Sequence, residues 1–237
     1  MTMKIIRVID FETTGLPSDP DGAAVCEVGY CDLTISHTGE ITIDEPHAYY
    51  TNPGRPIPAM ARAVHHISDQ DVKDAIEEAY GLEGLHNSHM ETPASIYCAH
   101  AADFEKSFFT PDEPWIDTWK VALRLWPDAP SFSNQALRYH LDLGLDKDKA
   151  SPPHRAGPDS YVTAHLLMRE IAEQRASIED MIRWSAGPAL FSRIKFGKHS
   201  GSRWQDVPSD YLEWIIDKSD LDKDVKANAR HYLKLRH

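Results

Sequence analysis

Lys4-Ile5-Ile6-Arg7-Val8-Ile9-Asp10-Phe11-Glu12-Thr13-Thr14-Gly15-Leu16 is an apolar strand that ends in two acids one residue apart. Side chains two apart on a strand share a face, so Ile6, Val8, Asp10 and Glu12 point one way. Two like charges roughly 6–7 Å apart on one face repel, and a purely structural pair there is costly. A divalent cation of the hard, oxygen-seeking kind removes that cost. An isolated Asp-x-Glu is ordinarily just a pair of exposed acids where a strand runs out into a loop, so the rest of the chain has to decide.

Strand-like segments follow at about 24–34 and 41–51, the latter closed by the loop-forming run Asn52-Pro53-Gly54-Arg55-Pro56-Ile57-Pro58. A short helix is expected at 59–65 and another after Ser68, a suitable N-cap. Ser95-Ile96-Tyr97-Cys98-Ala99 reads as a short buried strand, and helices alternate with loops beyond it. Strands first, then strand–helix alternation, indicate an α/β fold: a mixed sheet with helices on its faces. The pattern restarts between about Arg175 and Pro188, which divides the chain into a larger unit, 1–178, and a small C-terminal one, 188–237.

Composition bounds the function. The 237 residues are 41% hydrophobic and 26% charged, as expected of a globular protein with a sizeable core. No apolar run approaches the roughly 20 residues needed to span a bilayer, and the N-terminus enters a strand directly without a signal-peptide layout. Cys26, Cys31 and Cys98 lack metal-site spacing and read as reduced thiols of a cytoplasmic protein. The net charge of −12 argues against a general nucleic-acid coat protein, but it is uneven. Residues 182–237 hold 11 Lys and Arg against 7 Asp and Glu, a net +4, while the remainder holds 14 against 30, a net −16. An acidic body with a mildly basic tail suits a metal-dependent enzyme with an auxiliary nucleic-acid-contacting segment, or a solvated surface.

Two further acidic stretches carry the argument. In His100-Ala101-Ala102-Asp103-Phe104-Glu105 a strand ends and a helix is expected from about Ala102, where acids would favour the positive helix end. In His154-Arg155-Ala156-Gly157-Pro158-Asp159 the proline places a helix start at 158, with Asp159 in its first turn and on one face with Val162 and Leu166. His154 stays on the loop before it.

Together with Asp10-Phe11-Glu12-Thr13-Thr14-Gly15-Leu16, these stretches resemble the three motifs of the DEDDh 3′–5′ exonuclease superfamily, in order and over some 150 residues. The likeness is nearest to the exonuclease X branch and covers nearly the whole chain, including Val64-His65-His66-Ile67-Ser68 and Phe196-Gly197-Lys198 through Tyr211-Leu212-Glu213-Trp214. It implies a ribonuclease H-like fold with a small C-terminal appendage. It also implies two divalent cations, Mg²⁺ or Mn²⁺, held by Asp10, Glu12, Glu105 and Asp159, with His154 as general base. Phe11, Thr13 and His65, with Leu16, are the implied substrate contacts, although Phe11 reads equally well as core. The implied reaction is hydrolysis of DNA from single-stranded or duplex 3′ ends to 5′-mononucleotides, in repair. RNA trimming, or a catalytically silent nucleic-acid-binding role, are the alternatives; strand preference and oligomeric state have no signature in the chain.

One departure from the family pattern stands out. The usual His-Asn-Ala-x-Phe-Asp has become His100-Ala101-Ala102-Asp103-Phe104-Glu105. Residues two apart on a helix lie about 200° apart, so Asp103 and Glu105 cannot both serve one metal. Phe104 as register mark selects Glu105. The C-terminal stretch Phe191–Trp204 interleaves basic, aromatic and glycine residues, which suits a hairpin that contacts phosphates or a packing module with Trp204, Tyr211, Leu212, Trp214 and Ile215 as core.

Overall fold

A computed structural model describes residues 3–86 and 89–236. Its centre is a seven-stranded mixed sheet built on β1 (Lys4–Thr13). The long β2 (Val25–Ile35) pairs antiparallel to β1, and β3 (Ile41–Ile43) and β4 (His47–Asn52) both pair antiparallel to β2. The single strand expected over 41–51 is thus two, interrupted around Pro46, which has no N–H for a ladder. Helices α1 (Ala59–His65) and α2 (Asp69–Val72) follow, then β5 (Ile76–Glu77) beside β4, and α3 (Glu78–Glu83). On the other side of β1 lie β6 (Ile96–Ala99) and β7 (Trp115–Asp117), both parallel, giving the order β5-β4-β2-β1-β6-β7.

Helices α4 (Thr118–Leu125), α5 (Asn134–His140), α6 (Ala156–Ala172) and α7 (Ile178–Ala186) complete this part. The alternation along β1 separates two cores. Ile6 and Val8 join Cys98 and Ile116 against Val121 of α4, Val162 and Leu167 of α6 and Met181 of α7. Ile9 and Phe11 face the opposite layer with Tyr97, Ala102 and Phe109. Asp10 and Glu12 therefore continue the row that α6 covers, at the C-terminal ends of the parallel strands, where open α/β sheets place their ligands. Helix α7, which falls between the two units read from the sequence, packs into the first through Met181 and Ser185, whose hydroxyl accepts the Asp117 N–H at 2.7 Å.

Beyond it, α8 (Ser209–Lys218) and α9 (Lys223–Lys234) enclose a third cluster of Ile194, Trp204, Val207, Leu212, Ile215 and Ala229. Tyr211 is half-buried and Trp214 is 43% exposed, so neither belongs to the buried set expected from the sequence. The expected hairpin is reduced to one antiparallel bridge, Arg193 to Arg203, flanked by short 3-10 turns. The Ser192 hydroxyl donates to the Pro127 carbonyl and Arg203 pairs with Asp128 at 3.3 Å, which docks this segment on the loop after α4.

Candidate metal centre and active site

On β1, Asp10 lies opposite Gly29 of β2, and Glu12 lies opposite Glu27. A Cβ at Gly29 would sit 2.1 Å from the carbonyl carbon of Ala156, closer than atoms can approach. Glycine at this one position lets the start of α6 press directly on the sheet. Helix α6 begins at Ala156, two residues before the start read from Pro158, because Glu27 accepts the Ala156 N–H at 2.9 Å and so satisfies a free helix-end donor. Asp159 still falls in the first turn and is carried over the strand ends. One oxygen from each of Asp10, Glu12 and Asp159 lies within 4.8 Å of the others.

Glu105 adds a fourth carboxyl beside this group. It sits at the start of a 3-10 turn, Glu105–Ser107, and not three residues into an α-helix as the sequence reading had it. The left-handed Ala101 (φ 66°) turns the chain sharply after β6, so the backbone coils through a tight turn before Glu105. Glu105 is 4% exposed and its Oε2 has no hydrogen-bond partner. Asp103 points elsewhere: its side chain is 68% exposed and lies 3.4 Å from Lys120 Nζ. The structure therefore brings Glu105, and not Asp103, toward Asp10 and Glu12.

The electrostatics are those of crowded, dehydrated acids. Burial first, then the Asp159 and Glu12 charges, hold the Asp10 carboxyl well above the usual range. Burial, followed by Asp159 and Glu27, raises Glu12 to about 8 against the pull of Arg155. Burial raises Glu105 to about 8, with Asp117 and Glu12 adding to the effect. Asp159 is raised by burial too, but less freely, since the His154 N–H (2.7 Å) and Gln135 Nε2 (2.9 Å) each donate to one of its oxygens. Two full charges 4.8 Å apart repel by about 3–4 kcal/mol at an effective dielectric of ~20. A cation between them would offset each repulsion with larger cation–carboxylate attractions. The donors are carboxylate oxygens without thiol or imidazole in the group, and the orphaned, buried Glu105 Oε2 lacks a partner, so the set fits Mg²⁺ or Mn²⁺.

The histidine and the expected substrate contacts are placed differently. His154 is exposed on the loop before α6, in the left-handed conformation (φ 59°). Phe11 is 4% exposed and packs edge-on to Phe108, inside the core. The Thr13 hydroxyl donates to the Gly15 carbonyl at 2.6 Å and shapes the turn after β1. His65 is 2% exposed, with Nδ1 accepting the Ile67 N–H (3.0 Å) and Nε2 donating to the Thr13 carbonyl (3.2 Å). Both its nitrogens are engaged, so the ring braces the strand end; burial lowers its pKa and keeps it neutral. Leu16, in contrast, is 57% exposed beside the site-bearing strand.

Three supporting residues escaped the sequence reading. Glu27 is buried and clasps Arg155 (Nε to Oε2 3.0 Å), which also donates to the Tyr50 hydroxyl at 3.0 Å. The signal available was a charged residue inside an otherwise apolar strand. Gln135 holds Asp159 from a different helix and had no signal.

The exonuclease family profile matches residues 8–167, a span that contains all the acids of the cluster. The chain belongs to the exonuclease family. A relative within it is Exodeoxyribonuclease 10 of Escherichia coli, 30% identical over 97% of this chain and 99% of that protein. Among solved structures, exonuclease X in complex with 5′ overhanging duplex DNA superposes with a TM-score of 0.61 at 28% identity, over 76% of this chain and 99% of that one. The nuclease domain of 3′hExo, a DEDDh family member bound to rAMP, superposes with a TM-score of 0.56 at 18% identity, over 72% and 92%. The fold is thus the ribonuclease H-like mixed sheet flanked by helices that these exonucleases share, and the protein is a nuclease of the exonuclease family. Among the described residues no helix is long and apolar enough to cross a membrane.

Proposed function

We propose that this exonuclease hydrolyses DNA from the 3′ end and releases 5′-mononucleotides, with two divalent cations held by Asp10, Glu12, Glu105 and Asp159. The observation that carries the proposal is the convergence of Asp10, Glu12 and Asp159 within 4.8 Å at the strand ends, with the unpartnered Glu105 beside them and an exposed histidine on the adjoining loop. The cations, when bound, supply Lewis-acid stabilisation of the attacking and leaving oxygens. The chain supplies the rest. His154 accepts a proton from the water that attacks the terminal phosphorus, a task suited to an imidazole. The bond from phosphorus to the 3′-oxygen breaks, that oxygen takes a proton, and a 5′-mononucleotide leaves a new 3′-hydroxyl behind.

Gln135 and the His154 N–H fix the Asp159 carboxylate, while Arg155 and Glu27 fix the loop that carries His154. The three free, buried cysteines suit a reducing compartment, and we place the protein in the cytoplasm. Incubation with 5′-labelled single-stranded DNA, duplex DNA and RNA, each with Mg²⁺ or with chelator, tests the reading. Stepwise shortening of DNA that chelator abolishes is the expected result. Preferential trimming of RNA would move the substrate to RNA, and shortening that persists in chelator would remove the metal assignment.

A further inference from the structure

A cleft of about 550 Å³ lies where the C-terminal segment meets the catalytic core. Its walls are His100 and Ala101, Trp119 and Leu123 of α4, residues 127–133, and Phe191 to Arg193 with Lys195. We infer that this cleft is the track for a single-stranded stretch of the nucleic acid that leads to the acidic site; the inference rests on the exonuclease reading above.

Three observations point the same way. First, the cleft adjoins the site through the chain itself. The wall at 100–101 runs within five residues into Glu105, and the wall at 131–133 leads into α5, whose Gln135 donates to Asp159. His100 ties the two walls together: Nε2 donates to the Phe132 carbonyl and Nδ1 lies 2.8 Å from the Thr118 hydroxyl. Burial lowers its pKa to about 4, so this brace stays neutral and in place at physiological pH.

Second, the lining matches a flexible, stacked strand. The half-buried rings of Trp119, Phe132 and Phe191 line it, with Trp119 and Phe191 packed edge to face at 6.0 Å, and aromatic side chains hold successive bases without regard to sequence. A cavity of this size falls within the range of about 300–1,000 Å³ usual for ligand sites.

Third, the charge is right. Arg193 and Arg203 share the single carboxylate of Asp128 at 3.6 and 3.3 Å, and Lys195 is exposed without a carboxylate partner among the described residues. The rim therefore carries net positive charge on a protein whose first 181 residues are net −16. A polyanion approaching an acidic centre is guided by such a rim.

Lys195→Glu tests the track without touching the acidic cluster, and Lys223→Glu, exposed on α9 outside the cleft, matches its charge change. Binding is measured with single-stranded DNA whose terminal linkages are phosphorothioates, to slow cleavage. Lys195→Glu is expected to weaken binding on the order of fivefold or more and to lower the slope of log affinity against log salt by about one, while Lys223→Glu leaves both near wild type. A 5-iodouracil at the second or third base from the 3′ end should photocross-link to Trp119, Phe132 or Phe191. Equal affinities for the two variants, or adducts confined to other residues, would overturn the track. These outcomes separate from the exonuclease reading. Wild type that shortens no oligonucleotide but shows the Lys195 effect keeps the track and loses the activity; shortening without the Lys195 effect does the reverse.

Discussion

Glu105→Gln should make the metal-free protein more stable at neutral pH and the metal-loaded protein less able to work. The ordinary glutamate value is 4.5, and burial with neighbouring Asp117 and Glu12 lifts Glu105 to about 8 in the fold. A raised folded value means that the native state binds the proton more tightly than the unfolded chain. The associated stability is complete below about pH 4.5 and drains away as pH rises toward 8. At pH 7 the loss amounts to about 3 kcal/mol, at 1.36 kcal/mol per pH unit. Glutamine does not titrate and avoids this loss, but leaves a buried amide without partners at a cost of about 1 kcal/mol. The net gain, about 2 kcal/mol, corresponds to a rise in Tm of roughly 4–8 °C for a chain of this size. Melting curves at pH 5, 7 and 8 in chelator should therefore show wild type falling with pH and the variant falling less. Saturating Mg²⁺ should reverse the order, since ligand at 100 times Kd stabilises wild type by about 2.7 kcal/mol and the variant has exchanged a charged carboxylate oxygen for an amide nitrogen that cannot hold the metal. A variant less stable than wild type at every pH in chelator, or an equal Mg²⁺ shift in both, would refute the argument.

The remaining predictions concern neighbouring positions. His154→Ala should lower kcat about 10²–10⁴-fold with KM nearly unchanged, as expected for loss of a general base; a loss seen mainly in KM would make it a contact residue. Asp103→Asn should change kcat/KM by less than about twofold, because the side chain is exposed and faces Lys120, and a large loss in steady-state assays would return the ligand role to Asp103. Ala101→Gly should raise stability in urea denaturation by about 1 kcal/mol, because Ala101 holds φ 66°, a conformation that costs an L-residue about 1–2 kcal/mol. An unchanged or lower midpoint would show that the turn is not strained.

The sequence made some of this plain and hid the rest for physical reasons. Strand β1 was legible because its alternation is strict and its acids stand out against it; α1 was legible because Pro58 and the loop around it mark its start. The three acidic motifs were legible as types in order, which is why the sequence alone implies the fold and the reaction class. The local shape around Glu105 was not. An α-helix and a 3-10 turn differ by a single residue in the reach of each hydrogen bond, a difference that so short a stretch of sequence does not encode. The pairing of Glu27 with Arg155 and of Gln135 with Asp159 was not legible, although Glu27 itself stood out as a charge in a mostly apolar strand, because these pairs join β2, the loop before α6 and α5, positions separated by up to 128 residues. The burial of His65 was not legible because nothing local says that its two nitrogens meet the Thr13 carbonyl of β1 and the Ile67 amide.

The loop around His154 is pinned on both sides. Its own N–H is bound to Asp159, and the next residue, Arg155, is locked to Glu27 and Tyr50. The backbone at 154 is thus a fixed pivot, while the ring above it stands in solvent. Presenting and withdrawing the imidazole then requires rotation about side-chain bonds, which takes picoseconds to nanoseconds, and not the far slower opening of a loop. With His154 as the general base proposed above, such a rotation would not limit turnover, which would then be set by chemistry or by movement of the strand.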